Sequence, residues 1–145
     1  MKQRYFLKNT KKNELIDLLA RHLDRYEEIL FAFAHGSFVE NGPFRDLDVA
    51  VFLQPDIVPE IDFRYEMQMA SQIEKALGIQ FPADVRVLNK AKLSFRYHAL
   101  RGCLLLDRQP DARIDFTTKT AVRYLDIAPI LRHHTREAFA IAAES

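Results

Sequence analysis

The sequence predicts an α/β (α+β) protein in which a small mixed β-sheet packs against helices. Segments with apolar residues at helical spacing alternate along the chain with short apolar runs of strand length. Within these short runs, large and small or polar and apolar residues alternate with a period of two, which is typical of strands. We therefore expect one sheet, with helices covering it.

The first elements are an amphipathic helix and a buried strand. Residues 13–30 predict a helix, because apolar side chains recur there at helical spacing, namely at Leu15, Leu19, Leu23, Tyr26 and Leu30. In Leu30–Ala34, phenylalanine alternates with alanine and there is no polar residue. This run predicts a strand that is buried on both sides.

A glycine and a serine come shortly after this strand. Gly36 at a strand end lets backbone amides approach a ligand closely, and the Ser37 hydroxyl adds a hydrogen-bond donor. The turn Glu40–Phe44 contains asparagine, glycine and proline, so we expect irregular structure there.

The next predicted strand, Asp46–Leu53, has two different faces. A period of two places Asp46 and Asp48 on one face with Ala50 and Phe52, and four aliphatic residues on the other. Neighbouring carboxylates repel each other unless water, a basic group or a divalent cation neutralises them. Magnesium usually takes one or two carboxylates together with substrate phosphates. The pair therefore indicates a site for phosphate chemistry.

A loop and a second helix follow. Residues 54–59 contain two prolines and predict an exposed loop. Asp62 is expected to cap a helix that Gly78 ends. The apolar stripe of this helix is predicted to be Phe63, Met67, Ala70, Ile73 and Leu77, and we expect Met67 and Met69 in the core or at its edge.

A third aspartate lies in the predicted strand Phe81–Leu88. Alternation places Asp84 and Arg86 on one face and the aliphatic residues on the other. Asp84 either forms a plain ion pair with Arg86 or shares a site with Asp46 and Asp48.

A short helix and a short strand are predicted next. Lys90–Leu100 reads as a helix that Gly102 ends, and Cys103–Leu106 as a brief strand. The helix is expected to direct Leu93, Tyr97 and Leu100 inward and Arg96 and Arg101 outward.

The C-terminal helices are predicted to span about residues 110–143. Pro110 or Asp111 opens the first of them, and Pro129 is expected to kink or end it. Its shared apolar face is predicted to contain Ile114, Ala121, Leu125 and Ala128.

Composition limits the class of protein. With 145 residues, residues 1–145 are expected to form a single domain, and a net charge of +1 gives no general attraction to nucleic acid. The lone Cys103 excludes a disulfide within the chain and a multi-cysteine zinc site; we expect a buried thiol in a reducing compartment. The basic N-terminus lacks a signal-peptide core, and no segment approaches the ~20 apolar residues of a membrane span. These features predict a cytoplasmic protein.

Gly36-Ser37, Asp46-x-Asp48 and the later strand aspartate Asp84 together resemble the nucleotidyltransferase superfamily of the DNA polymerase beta type. Within it, the short chain most resembles the minimal nucleotidyltransferases of prokaryotes, the antitoxin partners of HEPN toxins. The resemblance extends from about the first helix to the last and includes Leu104–Arg108 and 113–131. It implies the polymerase beta-like fold, one or two Mg²⁺ ions and ATP as substrate.

The resemblance also implies roles for individual residues. Asp46 and Asp48 would hold the metal, Asp84 would complete the site and help activate the acceptor hydroxyl, and Gly36 with Ser37 would bind the phosphates. The sequence departs from the family pattern because Val39-Glu40-Asn41 stands where an arginine is usual, and Arg45 where a serine is common. Arg45 either replaces the missing cation near the phosphates or is solvated.

The function implied by the resemblance is transfer of AMP from ATP to a hydroxyl, most readily a tyrosine, of a HEPN-type ribonuclease toxin, which silences the toxin. One alternative is an antitoxin with a degenerate site that neutralises its partner by binding alone. A second is a nucleotidyltransferase acting on an aminoglycoside, which would need a homodimer to complete its pocket. A neighbouring reading frame with an Arg-x4-His-x-Tyr helix would favour the toxin partner.

Overall fold

The computed structural model describes the backbone of residues 3–144 and the side chains of residues 3–130 and of His133. The helices and strands in chain order are α1 (Asn9–Leu23), β1 (Ile29–His35), β2 (Leu47–Leu53), α2 (Phe63–Leu77), β3 (Ala83–Val87), α3 (Leu93–Leu100), β4 (Cys103–Asp107) and α4 (Pro110–Glu144). Short 3₁₀ segments occupy Gly36–Val39, Pro55–Glu60 and Leu88–Lys90. The segment predicted as an exposed loop thus forms a 3₁₀ turn.

The strands form one mixed sheet, as the sequence predicts. Its order is β3-β2-β1-β4, in which β1 pairs antiparallel with β2 and β4, and β2 pairs parallel with β3. Asp48 lies opposite His35 of β1 on one side and Asp84 of β3 on the other. The pairing of β1, β2 and β3 therefore brings His35, Asp48 and Asp84 together at one end of the sheet.

The two faces of the sheet carry separate apolar cores. Leu47, Val49, Val51 and Leu53 are fully buried against residues of α1 and α2. Phe31, Phe33 and Ala50 face the other way, against residues of α3 and α4. The predicted division of β2 into two faces is confirmed, and so is the burial of β1 on both sides.

The first helix begins and ends earlier than predicted. Periodicity gave residues 13–30, whereas α1 spans Asn9–Leu23, so Tyr26 lies in the connecting turn and Leu30 in β1. Arg108, which directly follows β4, donates hydrogen bonds to the carbonyl oxygens of Tyr26 and Ile29, at 2.6 and 2.8 Å. The residue that donates to these carbonyls is 79 or more positions away in the sequence. The residues around the end of α1 therefore give no sign of where the helix ends.

The second helix has the predicted ends and a different buried face. The Asp62 carboxylate accepts a hydrogen bond from the Arg64 backbone N–H at 2.9 Å, and Gly78 has a φ of 64°. Met69 is buried, but Met67 and Phe63 are each 64% exposed, so the prediction of a core position is wrong for Met67. The reason is that the first two turns of α2 lie beside the outer edge of β3, where they border a groove.

Two further side chains differ from expectation in the region after β3. Arg96 is half-buried, and it donates hydrogen bonds to the carbonyl oxygens of Leu88 and Asn89 at 3.1 and 2.8 Å. The outward direction predicted for it is therefore wrong, because those carbonyls need a donor. Cys103 is exposed, contrary to the predicted buried thiol, because β4 is an edge strand.

The last helix packs with only part of the predicted face. Ala128 is buried as predicted, whereas Ile114 and Leu125 are more than half exposed. Thr120, which lies outside the predicted face, is buried. Pro129 does not end the helix, which continues to Glu144. None of the helices in the described range has both the length and the apolar content needed to cross a membrane.

Candidate active site

Three carboxylates meet at one end of the sheet. Asp48 in β2 and Asp84 in β3 are register partners, and Asp46 immediately precedes β2 on the same face as Asp48. One carboxylate oxygen from each of the three residues lies within 4.8 Å of the others. The structure thus brings together the three aspartates that the sequence singles out.

The electrostatic state of this cluster is unfavourable without a cation. Burial raises the pKa of Asp48 to about 7, with further contributions in the same direction from the charges of Asp46 and Asp84, while Arg86 acts against them. The Arg86 guanidinium lies 3.6 Å from an Asp84 oxygen, but both side chains are well exposed, so this ion pair is weak. Hard oxygen donors close to one another and short of positive charge fit a divalent cation.

Gly36 lies directly against this cluster. Its φ is +75°, a conformation that residues with a side chain rarely adopt. A Cβ atom at this position would lie 2.3 Å from Oδ2 of Asp48, well inside van der Waals contact. Two features therefore require a glycine at this position: the positive φ of the turn that ends β1, and the closeness of the Asp48 carboxylate.

The other two predicted phosphate-binding residues differ in their surroundings. Ser37 is half-buried in the 3₁₀ segment that follows β1, next to Gly36. Arg45 is exposed and has no hydrogen-bond or ion-pair partner within the described part of the chain. Both interpretations of Arg45, a phosphate contact and a solvated side chain, are compatible with this position.

A buried lysine anchors the loop between these residues. Lys12 is only 6% exposed, and its Nζ donates hydrogen bonds to the carbonyl oxygens of Glu40 and Gly42, at 2.9 and 3.1 Å. The same Nζ lies over the rings of Phe38 and Phe44 at 5.5 and 5.1 Å. The loop that joins the Gly36 turn to Asp46 is therefore tied to α1.

Sequence reasoning missed Lys12, although a signal for it exists. The residue lies three positions before Leu15 and so continues the buried stripe of α1. A lysine on the buried stripe of a helix needs hydrogen-bond acceptors for its ammonium group. The predicted helix began at residue 13 and excluded it.

His35, the last residue of β1, is buried beside the cluster. Its ring meets that of Phe95 edge-on, with 5.2 Å between centroids, and its Nε2 has no hydrogen-bond partner among the described residues. Burial lowers the pKa of His35, although the charges of Asp84 and Asp46 act to raise it. A neutral imidazole is therefore expected there at neutral pH.

Chemically, this arrangement can bind a metal-complexed phosphate. The carboxylates offer oxygen ligands, and the tight glycine turn beside them leaves room for a ligand close to the backbone. The family model described as polymerase beta, nucleotidyltransferase matches residues 14–111, which include all of these site residues except Lys12. None of the curated proteins matches the sequence.

Several solved structures share the fold. A chain from a crystal structure of the toxin–antitoxin MntA-HepT aligns with a TM-score of 0.57 at 19% identity over 95% of this chain and 100% of that chain. A chain from the tri-AMPylated HEPN toxin of Shewanella oneidensis in complex with MNT antitoxin gives a TM-score of 0.57 at 19% identity, covering 96% and 100%. A toxin–antitoxin structure with AMP-PNP gives 0.60 at 20% identity, covering 92% and 98%.

Proposed function

Because the chain belongs to the polymerase beta nucleotidyltransferase family, we propose that it transfers AMP from ATP to a tyrosine hydroxyl of a HEPN-type toxin, and thereby acts as the antitoxin. The observation that carries the proposal is the convergence of Asp46, Asp48 and Asp84 beside the Gly36 turn. The choice of ATP and of a HEPN-type partner is supported by the structures of the same fold with AMP-PNP and with an AMPylated toxin.

Asp46, Asp48 and Asp84 would hold one or two Mg²⁺ ions, since their oxygens are close enough together and, among the described residues, only the exposed Arg86 pairs with them. When bound, Mg²⁺ supplies positive charge that stabilises the phosphates and the leaving pyrophosphate. Gly36 and Ser37 would contact the phosphate oxygens from the β1 side, and Arg45 would add a cation there.

The proposed reaction exchanges one bond to phosphorus for another. The tyrosine oxygen forms a bond to the α-phosphorus of ATP, while the bond from that phosphorus to the oxygen bridging to the β-phosphate breaks. Pyrophosphate leaves with the electron pair. Asp84 would accept the phenolic proton, because it lies at the edge of the cluster with a 44% exposed side chain.

We also propose that residues 1–145 act as one domain in the cytoplasm. The single-domain proposal is supported by the arrangement of α1 and α2 on one face of the sheet and of α3 and α4 on the other. The cytoplasmic location is proposed because the reaction uses ATP.

Labelled ATP tests this function. A purified HEPN-type toxin is incubated with the protein, Mg²⁺ and ATP labelled at either the α- or the γ-phosphate. We expect the α label on the partner and the γ label in pyrophosphate, and no labelled partner with Asp46→Ala. The γ label on the partner would contradict nucleotidyl transfer. An inhibited partner with neither label would favour neutralisation by binding alone.

A further inference from the structure

A groove runs along the outer edge of the sheet, next to the carboxylate cluster. It is bordered by β3, the first turns of α2 and the segment 90–95, and its volume is about 710 Å³. Asp84 belongs both to the lining of this groove and to the carboxylate cluster. A molecule in the groove would therefore meet the carboxylate that is expected to activate the acceptor.

Two large apolar side chains in the groove have no cover from the described part of the chain. Phe63 and Met67 lie one turn apart on α2 and are both mostly exposed, whereas Met69 and Ile73 of the same helix are buried. Phe95, across the groove, is held by His35 and by the Arg86 guanidinium over its ring. Neighbouring apolar side chains beside a polar centre are typical of a binding surface.

The edge of β3 is already partly occupied. The Val87 backbone N–H donates to a Glu66 carboxylate oxygen at 2.8 Å, and the Ala83 N–H donates more weakly to Glu74 at 3.4 Å. These glutamates compete with any strand that would pair with β3. A ligand in the groove is therefore expected to be held by side-chain contacts rather than by strand addition.

The charges of the groove favour a neutral or acidic ligand. The described residues that line it include three cationic side chains, Arg86, Lys90 and Lys92, and two carboxylates, Asp84 and Glu66. Lys90 donates to the Ile61 carbonyl oxygen, while the Lys92 side chain is exposed and has no partner within the described residues. A polycationic aminoglycoside would meet more positive than negative charge here, which disfavours it as the acceptor.

We propose that this groove binds the acceptor segment of the protein substrate. The proposal rests on the proposed function and specifies where its acceptor lies. In the order β3-β2-β1, the Gly36 turn and the groove lie on opposite sides of β2, so ATP and the acceptor approach Asp46 and Asp48 from opposite flanks. The segment places its tyrosine hydroxyl at Asp84 and its neighbouring apolar side chains on Phe63 and Met67.

The test uses the double variant Phe63→Ser/Met67→Ser. Both side chains are exposed, so the fold should be retained. The matched control is Phe6→Ser/Leu18→Ser, which removes two exposed apolar side chains outside the groove. For each protein, the kcat and the KM for the HEPN-type partner are measured by AMP transfer, and ATP binding by the rise in melting temperature with MgATP.

We expect the groove variant to raise the KM for the partner about tenfold, with kcat and the MgATP-induced rise in melting temperature unchanged, and the control to behave as wild type. An unchanged KM in the groove variant would overturn the proposal that the groove binds the acceptor, while leaving the proposed function intact. If the wild type transfers no AMP to the partner, the proposed function fails, and the acceptor groove fails with it. An equal rise in KM in the control variant would also overturn the proposed role of the groove.

Discussion

The buried Lys12 offers a quantitative test of how the site is built. Replacing Lys12 with Met keeps most of the apolar stem and removes the ammonium group, so the carbonyls of Glu40 and Gly42 lose their donor. A hydrogen bond to a charged group contributes about 1.5–3 kcal/mol. Both carbonyls belong to a loop that water reaches, and the substitution relieves the desolvation of a buried cation. We therefore expect a net loss of about 2 kcal/mol in the free energy of unfolding.

Lys11→Met is the matched control, one position away on the same helix. Lys11 is exposed and, within the part of the chain that the structure describes, forms a surface ion pair with Glu14 at 3.7 Å and no other contact of its ammonium group, so a loss of about 0–1 kcal/mol is expected. Urea denaturation of both variants measures the difference, and equal m-values show that the unfolding reactions are comparable.

The second measurement concerns the loop itself. Because Lys12 ties down the connection between Gly36 and Asp46, Lys12→Met should also reduce the MgATP-induced rise in melting temperature. Equal stability of the Lys12 and Lys11 variants would show that the two hydrogen bonds do no more than offset the desolvation of the lysine. The anchoring role would then be refuted.

Three further predictions concern the site. The pKa of Asp48 is raised from 3.8 to about 7, so the stability that its proton confers is full below pH 3.8 and is lost as the pH rises through 7. Without divalent cations, the free energy of unfolding should therefore fall with rising pH more steeply in wild type than in Asp48→Asn, and parallel curves would contradict this. Gly36→Ala should abolish the MgATP-induced rise in melting temperature, because the new Cβ atom would strike the Asp48 carboxylate; an undiminished rise would be inconsistent with a site at this turn. Arg45→Ala should raise the Kd for ATP at least about tenfold in calorimetry, since a hydrogen bond from a charged group is lost. A Kd equal to that of the control Arg64→Ala would assign Arg45 to solvent.

The carboxylate cluster could be predicted because its signals are local. Asp46 and Asp48 share a face through the period of two, and the continuous aliphatic face of β2 identifies the strand. To place Asp84 in the same cluster, the strand that contains it must also lie in the same sheet. The parallel pairing of β2 and β3 meets this condition.

Other features depend on contacts that no local pattern reports. The bond from Arg108 to the Tyr26 carbonyl spans 82 residues, and the bonds from Lys12 to its loop span 28 and 30. Similarly, helical spacing predicts α2 and its apolar stripe, which includes Phe63 and Met67. It does not show that the first turns of α2 lie at the outer edge of β3, where these two side chains are exposed. The exposure of these two residues is what the acceptor groove would explain.

If this chain silences a HEPN-type partner by attaching AMP to it, as we propose, the adduct and the loss of ribonuclease activity must appear together. Intact mass and ribonuclease activity of the partner are followed in the same reaction with MgATP, using wild type, Asp84→Ala and the exposed control Asp17→Ala. Wild type and the control should add whole AMP residues, with the loss of ribonuclease activity rising in step with the adduct, while Asp84→Ala adds none. Equal silencing of the partner by wild type and Asp84→Ala without any change in mass would contradict the claim.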